Sequence, residues 1–401
     1  MVSIRQRLKN FNERFWPRLE GKGGSRNSSY YLILGSSLAL TCIGLMMVFS
    51  ASAVEQVSQE TNPFTLGIKQ TVFAAIGFVA ILVLSRFPAR WFKVLAWPGL
   101  GISLILLVLV LVVGSTIGGN KNWIVVSDSF SFQPSEIAKL MIILWMASVL
   151  AQKEPLLGKM RHLFIPVVPV AALVVLLVLL EGDLGTATIM MAIVAAGLYF
   201  AGAPGKLFLG AGVLGVVAAL AMALTNSNRV GRLTAWLSCG DPNYKDPYGL
   251  CDQATNGMYA LASGGWWGVG LGQGKQKWNW IPEAHNDFIF AIIGEEFGLL
   301  GTIVIIVLYA VLAIGIFRVI VRSNSLFVRI VCGSVMTWMI GQAFVNIAMV
   351  TGILPVIGVP LPLVSYGGTS LTISLAAIGI VLSFARNLPE KTPQKRKNVA
   401  S

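Results

Sequence analysis

Charge is scarce in this chain. Only 12% of its 401 residues are Asp, Glu, Lys or Arg, against about 25% in a typical soluble domain. Histidine occurs twice, at His162 and His285, too few for a His-rich metal site, and the four cysteines form no CxxC pair. Zinc chemistry is therefore not expected. The phosphate-loop spacing GxxxxGK[ST] and a DxD pair are missing, and no GxGxxG stands in the βαβ context of a dinucleotide-binding fingerprint, which argues against a soluble nucleotide as substrate. No small-residue cleavage site follows the first apolar run, so that run is expected to stay in place as a helix.

Apolar side chains are what the sequence has in excess. They make up 55% of it, with a mean hydropathy of +0.75. Several runs exceed the roughly 18 residues needed to cross a bilayer as a helix. Run lengths predict ten spans, at about 30–53, 66–86, 92–114, 135–152, 163–180, 184–202, 206–224, 286–318, 326–350 and 367–385. The expected fold is an all-α polytopic membrane protein with a large extracytoplasmic loop, 225–285, between the seventh and eighth helices. The domain reading is a basic tail over 1–29, a membrane domain over 30–385 and a second basic tail over 386–401.

The net charge of +13 has a membrane explanation. Lys and Arg gather in both tails, in "RFPARWFK" (86–93), "QKEPLLGKMRH" (152–162), Lys206 and "RVIVRSNSLFVR" (318–329). With ten spans all of these fall on one face, which the positive-inside rule makes cytoplasmic. Such segments also attract anionic lipid. No basic stripe interleaved with aromatics is present, so nucleic acid is not an expected partner.

The opposite face carries 115–134, the loop 225–285 and the almost uncharged "TGILPVIGVPLPLVSYGG" (351–368). Irregular backbone at membrane depth is tolerated where protein or a wet cavity covers it. The last segment therefore reads as re-entrant or cavity-lining, with a plain apolar loop as the alternative. Cys239 and Cys251 lie in the long outer loop, where an oxidising environment favours a disulfide over two free thiols.

Candidate chemistry also gathers on that face. "IPEAHNDFIFAIIGEE" (281–296) puts Asp287 at the outer mouth of the eighth span. Either Asn286 or Asp287 caps the helix, or Asp287 is a general base. Glu295 and Glu296 fall two to three turns further in, where an ionised carboxylate costs about 2.5–3.5 kcal/mol without a partner. Pro134 opens the fourth span, with Glu136 and Lys139 on one helix face. Lys139 would neutralise an anionic substrate or pair with Asp287. Trp123 suits an interface anchor. Asp183 of "EGDLGT" is a helix cap or a site residue, and "ASGGWWGVGLGQG" (262–274), beside Arg229, Arg232, Lys275 and Lys277, reads as a flexible segment able to order around a ligand. Carboxylates, cations and an apolar cavity together suit an amphiphile with an anionic head.

Five motifs, "NPFTLGIKQ", "NWI…FQPSEIAK", "DLGTA", "ASGG…GVGLGQGKQKW…IPEAHNDFIFAIIGEEFGLLG" and "GILPVIGVPLPLVSYGGTSL", occur here in that order. They resemble those of the SEDS family (shape, elongation, division and sporulation), from about 30 to 386, and look more like its cell-division branch than its elongation branch. The resemblance implies a ten-span peptidoglycan glycosyltransferase that polymerises lipid II, releases undecaprenyl diphosphate and works with a class B penicillin-binding protein and other divisome proteins. A lipid II flippase and a non-catalytic divisome scaffold are the alternatives. Asp287 takes the place of the family's essential aspartate. The substrate-binding candidates are Lys139, Glu136, Trp123, Arg232, Lys277, His285 and Ser365, with Lys139 and Arg232 facing the leaving diphosphate. No cofactor is required, although a divalent cation, Mg or Mn, is compatible with the diphosphate. The site of action implied is the bacterial cytoplasmic membrane at the septum, with both termini cytoplasmic. The chain departs from the family's usual Gln-Pro-Asp-Leu-Gly-Thr, carrying Glu181 and Gly182 before Asp183.

Overall fold

The computed structural model describes residues 28–58, 60–117, 120–127, 130–208, 210, 231, 234, 236–239, 250–278, 280–282 and 284–388. Helices dominate, and they follow the apolar runs. In chain order they are α1 (Ser28–Ser58), α2 (Thr65–Leu84), α3 (Ala89–Val113), α4 (Pro134–Gln152), a short α5 (Met160–Phe164) leading into α6 (Val167–Leu180), α7 (Leu184–Ala201), α8 (Leu250–Ser263), α9 (Ile289–Arg322), α10 (Leu326–Met336), α11 (Gln342–Val350) and α12 (Gly368–Arg386). Among the described residues nine helical stretches are long and apolar enough to cross a membrane. Nine of the ten expected spans match them to within a few residues. The seventh, 206–224, lies almost entirely outside the described residues, as does the tail before Ser28.

Two helices form the centre. α4 and α12 are buried along most of their length, and their apolar side chains meet those of α9 and α10 in one continuous core. α2 and α3 instead expose rows such as Ile68, Val72, Ile76 and Val79, or Ile102, Ile105 and Val112. These are lipid-facing positions, since hydrocarbon offers no penalty to apolar surface.

One part of the chain departs from the all-α expectation. The segment between α3 and α4 folds as a three-stranded antiparallel sheet, β1 (Ser115–Ile117), β2 (Asn120–Ser127) and β3 (Phe130–Phe132). Lys121 Nζ donates to the carbonyls of Leu111 and Val112 at 2.8 and 3.1 Å, a cation set on the negative end of α3. The amide of Lys121 donates to the Glu181 carbonyl at 3.0 Å, tying the sheet to the α6–α7 turn.

Helix α9 is broken at Gly298, where φ is +66° and ψ −164°. The glycine-rich segment after α8 enters this break. The amides of Leu299 and Leu300 donate to the Gly265 and Trp266 carbonyls, and those of Val269 and Gly270 donate to Glu295 and Glu296. A side chain on Gly298 would collide with the Gly268 amide. The segment read as flexible is thus paired to the helix at several points.

Glu295 and Glu296 serve that pairing. The Glu295 carboxylate accepts the amides of Lys275 at 2.7 Å and Gln276 at 3.2 Å. Glu296 pairs with Lys277 Nζ at 2.6 Å and accepts from Ser50 Oγ at 2.7 Å. Each buried charge is compensated by partners of its own, as burial demands. Cys239 and Cys251 are joined in a disulfide with Cα atoms 5.4 Å apart.

Candidate active site

The loops at the end of the bundle opposite the basic segments enclose a cavity of about 500 Å³. Trp123 reaches it from β2, Glu136 and Lys139 from the first turns of α4, and His285 and Asp287 from the approach to α9. Segments 356–360 and 366–368 close another wall, so the Pro- and Gly-rich stretch lines a cavity, as its composition suggests. It is irregular from Thr351 to Gly367.

Helix geometry makes the buried pair of Glu136 and Lys139. The two lie one turn apart on α4, with Lys139 Nζ 2.9 Å from Glu136 Oε1. The ammonium also sits 4.7 Å from the centre of the Trp338 ring and 3.5 Å from Gln342 Oε1. Lys139 therefore pairs with Glu136 rather than with Asp287. Its charge is largely answered from within the protein.

Neutral amides hold Asp287 in place. Asn346, fully buried on α11, donates through Nδ2 to the Asp287 carbonyl at 2.8 Å and to the Val359 carbonyl at 2.7 Å. One turn earlier, Gln342 donates to the Pro360 carbonyl at 2.8 Å. Both follow a π-helical turn, Thr337–Gly341, an irregularity common at functional sites. Gly358 adopts φ +68°, and a Cβ there would lie 3.4 Å from Asp287 Oδ2. A left-handed backbone of this kind favours glycine.

His285 faces a carboxylate from the first span, with Nδ1 3.0 Å from Glu55 Oε2, and meets the Tyr366 ring edge-on at 5.4 Å. Asp183 caps α7, accepting the Thr186 amide at 2.8 Å. Its other oxygen accepts from Asn122, Gln133 and the Thr186 hydroxyl. The cap and the cavity wall are the same carboxylate. Beside it, Glu181 is 2% exposed, and neither of its carboxyl oxygens has a hydrogen-bond partner among the described residues. Burial, reinforced by the charge of Asp183, pushes Glu181 up to about 8.

Five of the eight catalytic and substrate-binding candidates thus share one cavity with Asp183: Asp287, Trp123, Glu136, Lys139 and His285. Lys277 and Ser365 do not line it. Lys277 is consumed by Glu296, and Ser365 Oγ donates to the Asn286 carbonyl at 2.7 Å while accepting the Leu361 amide. Both act as braces. Arg232 lies outside the described residues. Sequence reading passed over Lys69, Asn122 and Gln133, which also line the cavity. Lys69 and Gln70 are adjacent polar residues at the mouth of an apolar helix, a signal that could have marked them. Gln70 accepts the amides of Gly367 and Gly368 and donates to the Ser365 carbonyl, holding the second wall.

A bundle of membrane-spanning helices with a polar, carboxylate-bearing cavity at the face opposite its basic loops defines the class: a polytopic membrane protein whose site opens on one side. Residues 30–390 match the family model described as "Cell cycle protein", which covers FtsW, RodA and SpoVE, and the chain belongs to this SEDS family. It is 40% identical over 370 residues to "Probable peptidoglycan glycosyltransferase FtsW" of Mycobacterium tuberculosis, covering 92% of this chain and 70% of that one. It is 35% identical to stage V sporulation protein E of Bacillus subtilis, covering 90% of this chain and 98% of that one. Among solved structures, a chain of a peptidoglycan synthase complex that coordinates polymerization and crosslinking superposes with a TM-score of 0.72 at 28% identity, covering 88% of this chain and 96% of its own length. Thermus thermophilus RodA gives 0.65 at 27%, covering 90% and 98%.

Proposed function

We propose that this chain is a peptidoglycan glycosyltransferase that polymerises lipid II during cell division. The observation that carries the reading is the single cavity bringing Asp287 together with Trp123, Glu136, Lys139 and His285, in a chain whose relatives are named for this activity. Asp287 is the base. It takes the proton from the acceptor's 4-hydroxyl, whose oxygen attacks the donor's anomeric carbon with inversion as undecaprenyl diphosphate leaves. Preorganised donors and cations around the cavity stabilise the charge that develops there, where low dielectric magnifies their effect. Because Lys139 is already paired, its contribution to the diphosphate is shared with Glu136. Among the described residues no cluster of three or more His, Cys, Asp or Glu side chains could hold a metal ion. A Mg or Mn ion in the reaction would accordingly enter with the substrate's diphosphate.

The same reading puts the cavity on the outer face of the cytoplasmic membrane at the septum, with both termini inside. A class B penicillin-binding protein is the expected partner, since the structural neighbour belongs to a complex that couples polymerization to crosslinking. The test is polymerisation of purified lipid II by the protein with its transpeptidase partner. Asp287→Asn should lower the rate by about 10²–10⁴ while leaving the fold and the complex intact. An unchanged rate would remove Asp287 from the role of base. Relocation of labelled lipid II across liposomes without polymer would favour the flippase instead.

A further inference from the structure

We propose that the segment 265–272, "GWWGVGLG", is a membrane-interface anchor whose Trp266 and Trp267 enter the outer leaflet beside α9. Both indoles are displayed rather than packed, at 67% and 82% exposure, and Val269 and Leu271 are exposed with them. No charged residue occurs in the segment.

Its level in the membrane follows from α9. From Gly298 to Arg318 the helix runs about 20 residues, or roughly 30 Å, the thickness of the hydrocarbon core. Arg318 marks the other boundary, donating to Ser28 Oγ at the start of α1. The break at Gly298 therefore sits at the outer edge of the hydrocarbon. The carbonyls of Gly265 and Trp266 bond to the amides just past that break. The two indoles thus continue the lipid-facing row of Leu299, Leu300, Ile303 and Val304.

Irregular backbone survives at that depth only if its polar groups are satisfied from within the protein. Within this segment the amides of Gly265, Gly268, Val269 and Gly270 are satisfied in that way, which fits a position at the boundary rather than within the hydrocarbon. The Gly268 amide donates to Gly264, and those of Val269 and Gly270 donate to Glu295 and Glu296. The Glu295 carboxylate and the pair of Glu296 with Lys277 fix the return of the chain, leaving exposed Lys275 at headgroup level. Trp belongs at such a boundary, with an apolar body and one N–H for the headgroups. The anchor would set the height of the cavity above the bilayer, because His285 and Asp287 follow shortly after in the chain.

The test uses the full-length protein in bilayer nanodiscs, with phosphatidylcholine brominated at shallow or deep acyl positions as fluorescence quencher. Comparing wild type with Trp266→Phe/Trp267→Phe isolates the emission of the two indoles, and Trp267→Phe alone serves if the double variant does not fold. The expected result is loss of this emission with shallow bromines, less loss with deep ones, and little with aqueous iodide. Emission quenched by iodide and untouched by either brominated lipid would overturn the proposal, and would point to a surface for water or a protein partner. The readout does not depend on the reaction catalysed.

Discussion

The ion pair of Glu136 and Lys139 is a residue-scale feature with a large energetic consequence. Both side chains are almost fully buried, so removing one leaves an uncompensated charge, which typically costs about 3–5 kcal/mol. Lys139→Ala should lower the unfolding temperature in detergent well beyond the joint variant Glu136→Gln/Lys139→Met, which removes both charges. Glu181 makes a prediction of a different kind. Its carboxyl is pushed from 4.5 to about 8 by burial first and Asp183 second. The folded protein keeps a proton that the unfolded chain releases above 4.5, so the unfolded state binds fewer protons in that window. The stability contributed is complete below pH 4.5 and is lost as pH rises towards 8. Thermal unfolding measured between pH 5 and 9 should show this decline, and Glu181→Gln should flatten it.

At the scale of elements, Gly298 is where α9 and the glycine-rich segment depend on each other. A Cβ at φ +66° is strained, and here it would also press on the backbone of Trp266 and Gly268. Gly298→Ala should therefore open the segment. Proteolysis between 264 and 278 in detergent should accelerate while cleavage elsewhere does not. This junction also shows what the sequence could and could not disclose. The spans were legible because hydrocarbon demands long apolar runs, and charges such as Asp287, Glu136 and Lys139 stood out against them. The sheet at 115–132 was not, since its strands are short and sit among glycines and serines that also suit a loop. Gly298 lies in a continuous apolar run whose hydropathy is blind to a change of φ. Gln342 and Asn346 escaped notice because a neutral amide in a span signals nothing until the carbonyl it braces is known. The partners of Glu295 and Glu296 come from 275–277 and from α1, contacts that only folding creates.

The whole molecule sets a constraint that no single element contains. Asp183 and Thr186, at the start of α7, line the cavity, while Phe200, near the end of that helix, packs on Gly333 in α10 at the far face. Gln253, Pro282 and His285 are again at the cavity. The end of α7 and the start of α8 therefore stand at opposite faces of the bundle. Arg86, Arg161, Arg322 and Arg386 lie at helix ends away from the cavity. In intact cells expressing a variant without the free thiols Cys42 and Cys332, an impermeant thiol reagent should label Gln273→Cys and should reach Ser323→Cys only after lysis. Labelling of both from outside, or of neither, would contradict a cavity assembled at the outer face from loops 115–134, 250–288 and 351–368, because those loops share their walls only if they share a side.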